Sequence, residues 1–500
     1  MISLVITIGG KMKKSIFRNA IFKFILNLFN LVVPILIGPY ILRVVGVEIN
    51  GTIKYSQTIF AYFFIFAGFG VYQYGLREIS KVRDDEKKLS SVFTSLFVFT
   101  IATNVITTGI YLIYIMANFM NDSKLYGALV ILTFNLLSNI FYTEWVNEAM
   151  ENYGFITIKT IVIKIAYIIG LLTLVKSSDN LKEYMILLVL STFLNNIVSF
   201  IYVKKKVKFD FSSINIVRHI KPMFLVVILS NANILYTQLD RTMIGSAIDI
   251  SNVSYYATAQ DISNMINSLL LTLIYVTIPR LTNYSASSEK KDEYLKLLNK
   301  ISKMYLMVLF PAAIGMFMLS GEIILLYGGA EYIAAAPILQ VFSIYIITLG
   351  YESILSNQVM YVQGKERIQV GVVFIGGAIN LILNILLILT GNFTETTSIV
   401  TTMIANILVI TIEYIYIRKK LQIPIKIFSM DKTKYLIYSL TFIPTIMLLK
   451  TLNLGTILLC LASMISCALL YLIILIVTKD EFYLDFLKKV NGIIKKKITN

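Results

Sequence analysis

The sequence predicts an all-α, polytopic membrane protein with about 14 transmembrane helices. Hydrophobic residues make up 57% of the 500-residue chain and charged residues 15%, whereas soluble globular chains have roughly 45–50% and about 25%. The mean hydropathy is +0.77. Long apolar segments recur along the chain, and Lys and Arg are concentrated in alternate loops. A water-soluble fold could not bury this much apolar surface.

The apolar segments give the order of the helices. A helix needs about 20 predominantly apolar residues to cross the bilayer. The segments that meet this requirement are 20–46, 52–76, 91–117, 124–146, 155–175, 183–203, 222–246, 254–279, 303–327, 332–362, 367–390, 396–417, 434–450 and 453–477. The linkers between them are short, so we expect the functional residues to lie within the helical bundle.

The positions of Lys and Arg predict the orientation. Of 45 such residues, 36 lie on the side that includes both termini, and four (Lys124, Lys176, Lys182 and Lys450) lie in loops on the opposite side. Cytoplasmic loops are enriched in Lys and Arg, so both termini are expected in the cytoplasm, with basic loops near anionic membrane lipid. The same asymmetry accounts for the net charge of +17 without a nucleic-acid partner.

The rare residue types argue against several classes of site. One histidine, His219, and two cysteines, Cys460 and Cys467, are too few for a His/Cys metal site or a disulfide framework. The chain has no GxxxxGK[ST] loop for ATP. His219 is expected to be cytoplasmic and isolated, so no Ser–His–Asp arrangement is predicted. We therefore predict no catalytic residue, no metal and no resident cofactor.

A shift of 203 residues reveals an internal repeat, because it aligns Asn30 with Asn233 and Gln57 with Gln260. Six spans separate the two copies, an even number, so the repeats are expected to run parallel in the membrane. The pattern predicts two pseudo-symmetric six-helix bundles followed by two additional helices. The expected divisions are an N-terminus at 1–19, lobes at 20–203 and 222–417, a basic linker at 204–221, a loop at 418–433, two further helices at 434–477 and a basic tail at 478–500.

The first span carries a polar stripe. Lys23, Asn27 and Asn30 are spaced by four and three residues, which places them on one face of a helix. Pro34 and Pro39 follow in the same span and are expected to bend it. The pattern indicates a mobile helix that lines a cavity, although Lys23 could instead extend to the cytoplasmic interface.

Further polar residues lie in the second, seventh and eighth spans. Such residues are costly in the bilayer core and usually face a cavity or a partner. Those that we predict to line a central cavity are Lys54, Gln57, Asn233, Gln238, Asp240, Arg241, Gln260, Asp261 and Asn264. The alternative interpretation is that they form structural hydrogen bonds between helices.

Other acidic and basic residues in the spans leave two interpretations open. Glu144, Glu148 and Glu151 lie at the cytoplasmic end of the fourth span, where a solvated helix end is the expected environment. Single charges also occur within other spans, and each could bind a coupling ion or form a structural pair. These residues are Lys164, Glu322, Glu352 and Glu413.

Several motifs carry a family resemblance. They are the run from Gly38 to Glu48 (GPYILRVVGVE), Gly51 with Tyr55-Ser56-Gln57, Gly68-Phe69-Gly70, Glu144-Trp145 with Met150-Glu151, Ile156-Thr157-Ile158-Lys159, the run from Leu239 to Gly245 (LDRTMIG), and Gln363-Gly364-Lys365-Glu366. With these motifs, most of residues 13–420 resemble the Wzx-type polysaccharide repeat-unit flippases of the MATE-like MOP exporter superfamily. The last two spans match only as generic hydrophobic helices.

The resemblance implies a flippase that moves an undecaprenyl-diphosphate-linked oligosaccharide from the inner to the outer leaflet of the bacterial cytoplasmic membrane. It implies alternating access through a central cavity, coupling to a gradient of an ion such as Na⁺ or H⁺ or to the membrane potential, and possible association with a polymerase or a chain-length regulator. Lys23, Lys54 and Arg241 are the candidates for contact with phosphate. The hydrogen-bonding candidates are Asn27, Asn30, Gln57, Asn233, Gln238, Gln260 and Asn264.

Asp240 and Asp261 could carry the coupling ion or pair with Arg241. Some members of the superfamily line the cavity with several arginines, whereas Gln57 and Gln260 occupy the repeat-related positions here. This difference favours a neutral or weakly acidic glycan.

Two other functions stay open. The first is a MATE-like multidrug or cation antiporter, for which Asp240 and Asp261 would supply the carboxylates. The second is an outer-face polysaccharide polymerase or ligase, which would need a large outer loop that the predicted topology lacks.

The first eleven residues are too short for a span, so the start of translation could be Met1 or Met12.

Overall fold

The structure, a computed structural model, describes residues 16–480 and 482–484, without the side chains of 16–17, 225, 229–237 and 288. Within these residues the regular elements are all helices. The helices of the first half are α1 (Ile16–Gly68), α2 (Val71–Val82), α3 (Glu86–Phe119), α4 (Ser123–Ser138), α5 (Glu144–Ala149), α6 (Tyr153–Leu174), α7 (Leu181–Lys204), α8 (Val217–Thr237), α9 (Leu239–Ala247) and α10 (Ile250–Tyr275).

The second half continues with helices of the same kind. They are α11 (Ile278–Ser285), α12 (Lys291–Met318), α13 (Ser320–Tyr327), α14 (Ala336–Leu355), α15 (Glu366–Leu389), α16 (Glu395–Lys419), α17 (Met430–Ser439), α18 (Phe442–Lys450) and α19 (Thr456–Val477). A short π-helix, Ser356–Tyr361, follows α14 directly. The predicted all-α class is confirmed.

In the described part of the chain, 11 helical stretches are long and apolar enough to cross a membrane, and the protein is a multi-pass membrane protein. The first stretch, Arg18–Val82, contains two predicted spans. Two other predicted spans are interrupted: 222–246 divides into α8 and α9, and 434–450 contains the end of α17 and all of α18. Pro444 in the first turn of α18 has no backbone N–H, so it cannot continue the helical hydrogen bonds of α17.

The long helix α1 consists of two segments that meet at Gly46. This residue has φ 73° and ψ 177°, outside the helical region, and a positive φ of this kind is readily adopted only by glycine. Gly46 therefore separates the first predicted span from the second. Pro34 and Pro39 lie inside the first segment, and the bend assigned to them stays a prediction.

The described residues form two compact units, one within 1–257 and one within 258–500, which we call the N-unit and the C-unit. The N-unit therefore extends past the linker and includes α8 and α9. Its core at one end is built around Trp145, which is 1% exposed and lies beside Phe93. In the C-unit, α14 packs against both α12 and α16. The lobe boundaries predicted from the sequence remain a prediction.

Candidate functional site

The N-unit contains a cavity of about 560 Å³, which we call the amide pocket. It lies among α1, α3, α4 and α7. Residues 70–73, which follow α1, and Asn139 and Tyr142, which follow α4, complete its wall. Its lining residues are Phe60, Phe64, Ile65, Gly68, Gly70, Val71, Tyr72, Gln73, Thr100, Asn135, Asn139, Tyr142, Thr192, Asn195 and Asn196. None of these residues is charged, whereas five of them carry side-chain amides. The pocket is therefore polar and electrically neutral.

One wall of the amide pocket is the turn that ends α1. Phe69 has φ 39° and Gly70 has φ 70°, so the helix ends here. The carbonyl group of Ala67, in the last turn, therefore loses its helical hydrogen-bond donor. The Ala67 carbonyl accepts hydrogen bonds from Thr103 Oγ1 at 3.0 Å and from Asn104 Nδ2 at 3.1 Å. These two donors on α3 compensate for helical bonds that the turn removes.

A relay of amides continues from this turn into the pocket. Asn139 Nδ2 donates to Asn104 Oδ1 at 3.1 Å, which fixes the orientation of the Asn139 side chain. Asn196 Nδ2 donates to Ser138 Oγ at 2.9 Å. Each of the two asparagines uses Nδ2 in a hydrogen bond within the protein, so the Oδ1 of each and the second N–H of Asn139 are left for a ligand.

Asn135 adds a largely buried amide to the wall of the pocket. Its side chain is 7% exposed, and its Oδ1 has no hydrogen-bond partner among the described residues. A buried acceptor without a partner costs about 1–3 kcal/mol. The protein therefore tolerates an unfavourable buried group directly behind the pocket wall.

Tyrosines form the aromatic part of the wall. The rings of Tyr72 and Tyr142 lie 6.1 Å apart with an interplanar angle of 31°. The Tyr72 hydroxyl donates to Glu148 Oε1 at 2.9 Å, and Trp145 Nε1 donates to the Tyr142 carbonyl at 3.1 Å. These bonds hold the two rings in place at the pocket.

An ion pair lies beside the pocket residue Asn195. Lys159 Nζ donates to Glu144 Oε1 at 2.9 Å, to Ser199 Oγ at 2.6 Å and to the Asn195 carbonyl at 3.2 Å. The Lys159 side chain is 1% exposed. An ammonium group has three donors, so all donors of Lys159 are used inside the protein.

The expectation of a solvated helix end is therefore wrong for Glu144, which is buried and paired. Glu151 fits the expectation better, because it is more exposed and forms an ion pair of 2.6 Å with Arg83. Glu148 lies 4.0 Å from Lys23 Nζ and also accepts the Tyr72 hydrogen bond. The sequence analysis assigned no role to Lys159. A lysine inside an apolar span needs a partner, and this is the signal that could have identified the pair with Glu144.

The polar stripe of the first span lies outside the amide pocket. The Lys23 side chain is 55% exposed, and its ammonium group also lies 5.4 Å from the Tyr153 ring. Asn30 Oδ1 accepts a hydrogen bond of 2.7 Å from Lys164. Asn27 is exposed. None of these stripe residues lines the pocket.

A second polar region of the N-unit joins α1 to α9 and α10. Thr58 Oγ1 donates to Gln238 Oε1 at 3.2 Å. Tyr256 donates to Asp240 Oδ2 at 2.8 Å. Asn50 Nδ2 donates to Ser254 Oγ at 2.7 Å. Two of the predicted cavity residues, Gln238 and Asp240, thus bond to partners that the sequence analysis did not name.

The other predicted cavity residues have separate placements. Lys54 and Gln57 are half-buried on α1, and Arg241 is 8% exposed on α9. Gln260, Asp261 and Asn264 belong to the C-unit. The side chain of Asn233 lies outside the described residues. Their role in binding substrate stays a prediction.

The C-unit holds two carboxyl groups on neighbouring helices. Glu413 on α16 is 0% exposed, and both of its oxygens lie within hydrogen-bond distance of Ser356 Oγ, at 2.9 and 3.0 Å. Glu352 on α14 accepts from Asn406 Nδ2 at 2.6 Å. Within the described chain neither carboxyl has a Lys, Arg or His partner in an ion pair, whereas Glu322 pairs with Lys450 at 2.9 Å.

His219 is not isolated, contrary to the expectation. It is 5% exposed, and its Nδ1 lies 2.7 Å from the Tyr74 hydroxyl oxygen. Burial, together with the positive charge of Arg218, lowers the pKa of His219. The imidazole at the start of α8 is therefore buried and held by Tyr74 within the N-unit.

The amide pocket itself was missed by the sequence analysis. Its asparagines fall in two predicted spans, 124–146 and 183–203, that were treated as apolar. The available signal was the presence of four amides in these spans: Asn135, Asn139, Asn195 and Asn196. Amides in a membrane helix face a partner or a cavity, and a search on that criterion would have found them.

Known proteins resemble this chain in sequence. Residues 16–285, more than half of the chain, match the family described as polysaccharide biosynthesis protein. A candidate O-antigen transporter of Escherichia coli (strain K12) is 23% identical over 424 residues, which cover 81% of this chain and 97% of that protein. A candidate O-antigen transporter of Shigella dysenteriae is 19% identical over 369 residues, 73% of this chain and 91% of that protein.

Two solved structures share the fold. The lipid II flippase MurJ in an inward closed conformation has a TM-score of 0.68 and 18% identity, with 94% of this chain and 100% of that chain covered. An inward-facing MATE family multidrug transporter of the MOP superfamily has a TM-score of 0.60 and 12% identity, with coverage of 85% and 100%. These relatives are named as transporters or flippases, in agreement with the predicted absence of enzymatic function.

The family match extends over α1 to α11 and thus includes the amide pocket. The solved structures confirm the MATE-like fold that the motifs implied. The chain therefore belongs to the polysaccharide biosynthesis protein family, and its predicted resemblance to the Wzx-type flippases of the MOP superfamily is confirmed.

Proposed function

We propose that the protein flips undecaprenyl-diphosphate-linked oligosaccharide repeat units from the inner to the outer leaflet of the bacterial cytoplasmic membrane. The product would be a capsule, an O-antigen or an exopolysaccharide. The observation that carries the proposal is the amide pocket, a neutral polar cavity within an otherwise apolar helical unit. Glycan hydroxyls cannot cross hydrocarbon without hydrogen-bond partners, and this cavity offers them.

The diphosphate needs different partners from the sugar. An anion is stabilised in a membrane protein by cationic or hydrogen-bonding groups. Lys23, Lys54 and Arg241 remain our candidates for this contact, and the amides of Gln57 and Gln238 are the nearby hydrogen-bonding candidates. The undecaprenyl chain is apolar and can stay in the bilayer during transport.

We further propose transport by alternating access, with both termini in the cytoplasm. The internal repeat supports this proposal, since many secondary transporters rock two repeats around a substrate site. The orientation is supported by the 36 Lys and Arg residues predicted on the cytoplasmic side. A polymerase and a chain-length regulator are the proposed partners in the membrane, because they would consume the exported repeat units.

The energy for transport would come from Na⁺ or H⁺. Asp240 and Asp261 are the carboxylates that the sequence suggested for the coupling ion. Glu352 and Glu413 form a second candidate pair, because neither has a basic partner within the described chain. Glu413 is buried and Glu352 is half-buried, and a carboxyl group inside a membrane helix usually marks an ion or proton pathway, so this pair is suited to ion uptake and release.

The proposal is tested in cells that lack this gene but retain the upstream glycosyltransferases. Lipid-linked glycans are extracted after treatment of intact spheroplasts with a membrane-impermeant reagent that oxidises sugars. We expect intact repeat units that are protected from the reagent, and loss of protection when the gene is restored.

Two other outcomes would contradict the proposal. Repeat units that reach the outer leaflet without the gene, with only polymer formation blocked, would indicate a polymerase. Unchanged glycans together with increased sensitivity to cationic drugs would indicate a multidrug antiporter.

A further inference from the structure

We infer that the amide pocket is a binding subsite for one or more uncharged sugar residues of the transported glycan. We further infer that it rejects acidic sugars and sugars with a free, positively charged amino group. This inference rests on the proposed function and assigns a substrate class to part of the transport route. It follows from the chemistry of the pocket wall and from the hydrogen bonds that occupy all three donors of the buried Lys159 beside Asn195.

The wall offers acceptors that match sugar hydroxyls. Asn135 contributes one of the five side-chain amides of the lining. Asn139 and Asn196 use their Nδ2 groups for protein hydrogen bonds of 3.1 Å and 2.9 Å, so that their oxygens remain for a ligand. A hydroxyl group can donate to such an oxygen and also accept from a neighbouring amide. Sugars present several hydroxyls at once, as this arrangement requires.

The wall also offers flat apolar surfaces. Tyr72 and Tyr142 lie on one side with their rings 6.1 Å apart, and Phe60 and Phe64 also line the cavity, with ring centroids 5.4 Å apart. The C–H faces of a sugar ring can pack on aromatic rings while its hydroxyls reach the amides. A wall of amides and aromatics thus fits an amphipathic ring.

A charged sugar would have no counter-charge in this pocket. The lining contains no Lys, Arg, Asp or Glu. Lys159 lies beside Asn195, but its three donors are taken by Glu144, Ser199 and the Asn195 carbonyl. Taking an unpaired charge out of water costs several kcal/mol. A uronic acid or an amino sugar would therefore bind poorly.

Other ligands fit the pocket less well. The lipid diphosphate would find no cation in the wall, and a cationic drug would find no carboxylate. An isoprenoid tail would cover the oxygens of Asn139 and Asn196 without giving them hydrogen bonds, which is unfavourable. The volume of about 560 Å³ lies within the roughly 300–1,000 Å³ of small-molecule sites. The pocket therefore has room for a portion of a glycan.

The single tryptophan of the chain provides a direct readout. Trp145 Nε1 is bonded to the carbonyl of the lining residue Tyr142 at 3.1 Å, and the sequence has one Trp. Ligand binding in the amide pocket should change its fluorescence. Full-length protein in nanodiscs is titrated with the methyl glycosides of glucose, galactose and N-acetylglucosamine, and with methyl glucuronide and methyl glucosaminide.

We expect a saturable fluorescence change with at least one neutral glycoside and none with the two charged glycosides. Asn135→Leu should reduce the affinity for the neutral glycoside by about tenfold, because a hydrogen bond in a buried site is lost. Gln73→Leu is a second variant at an exposed lining residue, where folding is not at risk. Asn118→Leu is the matched control, since Asn118 is exposed on α3 and does not line the pocket.

Three results would overturn the inference: no saturable response to any neutral glycoside, equal binding of the charged glycosides, or unchanged affinity in both lining variants. Flipping is measured separately on the same variants in cells. Normal sugar binding without flipping in any assay would refute the proposed function and leave the subsite standing. Flipping that is unaffected by either lining variant, with no glycoside binding, would refute the subsite and leave the flippase standing.

Discussion

Lys159 Nζ and Glu144 Oε1 lie 2.9 Å apart inside the N-unit, and the Lys159 side chain is 1% exposed. Removing one member of a buried ion pair leaves a charge without compensation, which costs about 3–5 kcal/mol. We therefore expect Lys159→Met to lower the free energy of unfolding by about that amount. Thermal unfolding in detergent measures the effect, and Lys159→Met/Glu144→Gln should recover a large part of it.

The exposed pair Lys124–Glu48, with a distance of 2.7 Å, is the matched control. Its side chains are 55% and 67% exposed, and surface pairs of this kind contribute little. Lys124→Met should leave the unfolding temperature unchanged. Equal effects of Lys159→Met and Lys124→Met would contradict a structural role for the buried pair.

A second prediction concerns the close approach of α1 and α10 in the N-unit. A Cβ atom on Gly51 would overlap the carbonyl oxygen of Ile250. Since this obstacle is backbone, it cannot move away by a rotamer change, and overpacking typically costs about 1–3 kcal/mol. Gly51→Ala should therefore destabilise the protein by about that amount in a thermal unfolding assay.

Gly109→Ala serves as the control for that experiment. Gly109 lies on α3, and a Cβ there would meet no atom within 4 Å. Replacing a helical Gly by Ala gains about 0.5–1 kcal/mol of backbone entropy. Destabilisation of both variants to the same extent would refute the steric explanation.

A third prediction is a pH dependence from His219. Burial and the positive charge of Arg218 lower its pKa in the folded protein, so the unfolded state binds a proton more readily. By linkage, the stability that His219 contributes is present above its unfolded pKa of about 6.5 and is lost as the pH falls through and below it. The unfolding temperature should therefore decrease from about pH 7.5 to about pH 5.5.

His219→Asn tests the origin of that dependence, since an amide can still bond to Tyr74 but does not titrate. The variant should show a smaller decrease in unfolding temperature over the same range. An identical decrease in the variant and the unsubstituted protein would assign the pH dependence to other groups.

A fourth prediction concerns the carboxyls of the C-unit. If Glu352 and Glu413 take up the coupling ion, Glu413→Gln should uncouple transport from an imposed pH or Na⁺ gradient while leaving the protein folded. The measurement is gradient-driven flipping in proteoliposomes, with Glu395→Gln in the first turn of α16 as control. Full gradient dependence in Glu352→Gln, Glu413→Gln and the double variant would exclude this pair.

The sequence predicted the class of fold and the approximate spans well, because a bilayer imposes a long apolar run on each helix. It did not predict the division of span 222–246 after Thr237 or that of 434–450 near Leu440, since hydropathy averages over such short interruptions. The ends of the helices were therefore less predictable than their existence.

The candidate site was harder to predict than the fold. Asp240 and Arg241 stand out in an apolar sequence because they are charged, whereas Asn135 and Asn196 do not. The amide pocket depends on contacts between α4 and α7, and its relay through Asn104 starts at a helix end on α1. Such a constellation joins residues far apart in the chain and has no short motif.

The central claim is most directly tested with purified protein in proteoliposomes that contain the lipid-linked glycan accumulated by the deletion strain. A membrane-impermeant sugar oxidant reports the fraction of glycan in the outer leaflet. We predict that vesicles with the protein expose the glycan of the inner leaflet over time, whereas vesicles with Asn135→Leu do so more slowly. Equal and unchanging exposure in protein-containing and protein-free vesicles, under every imposed gradient, would contradict flipping.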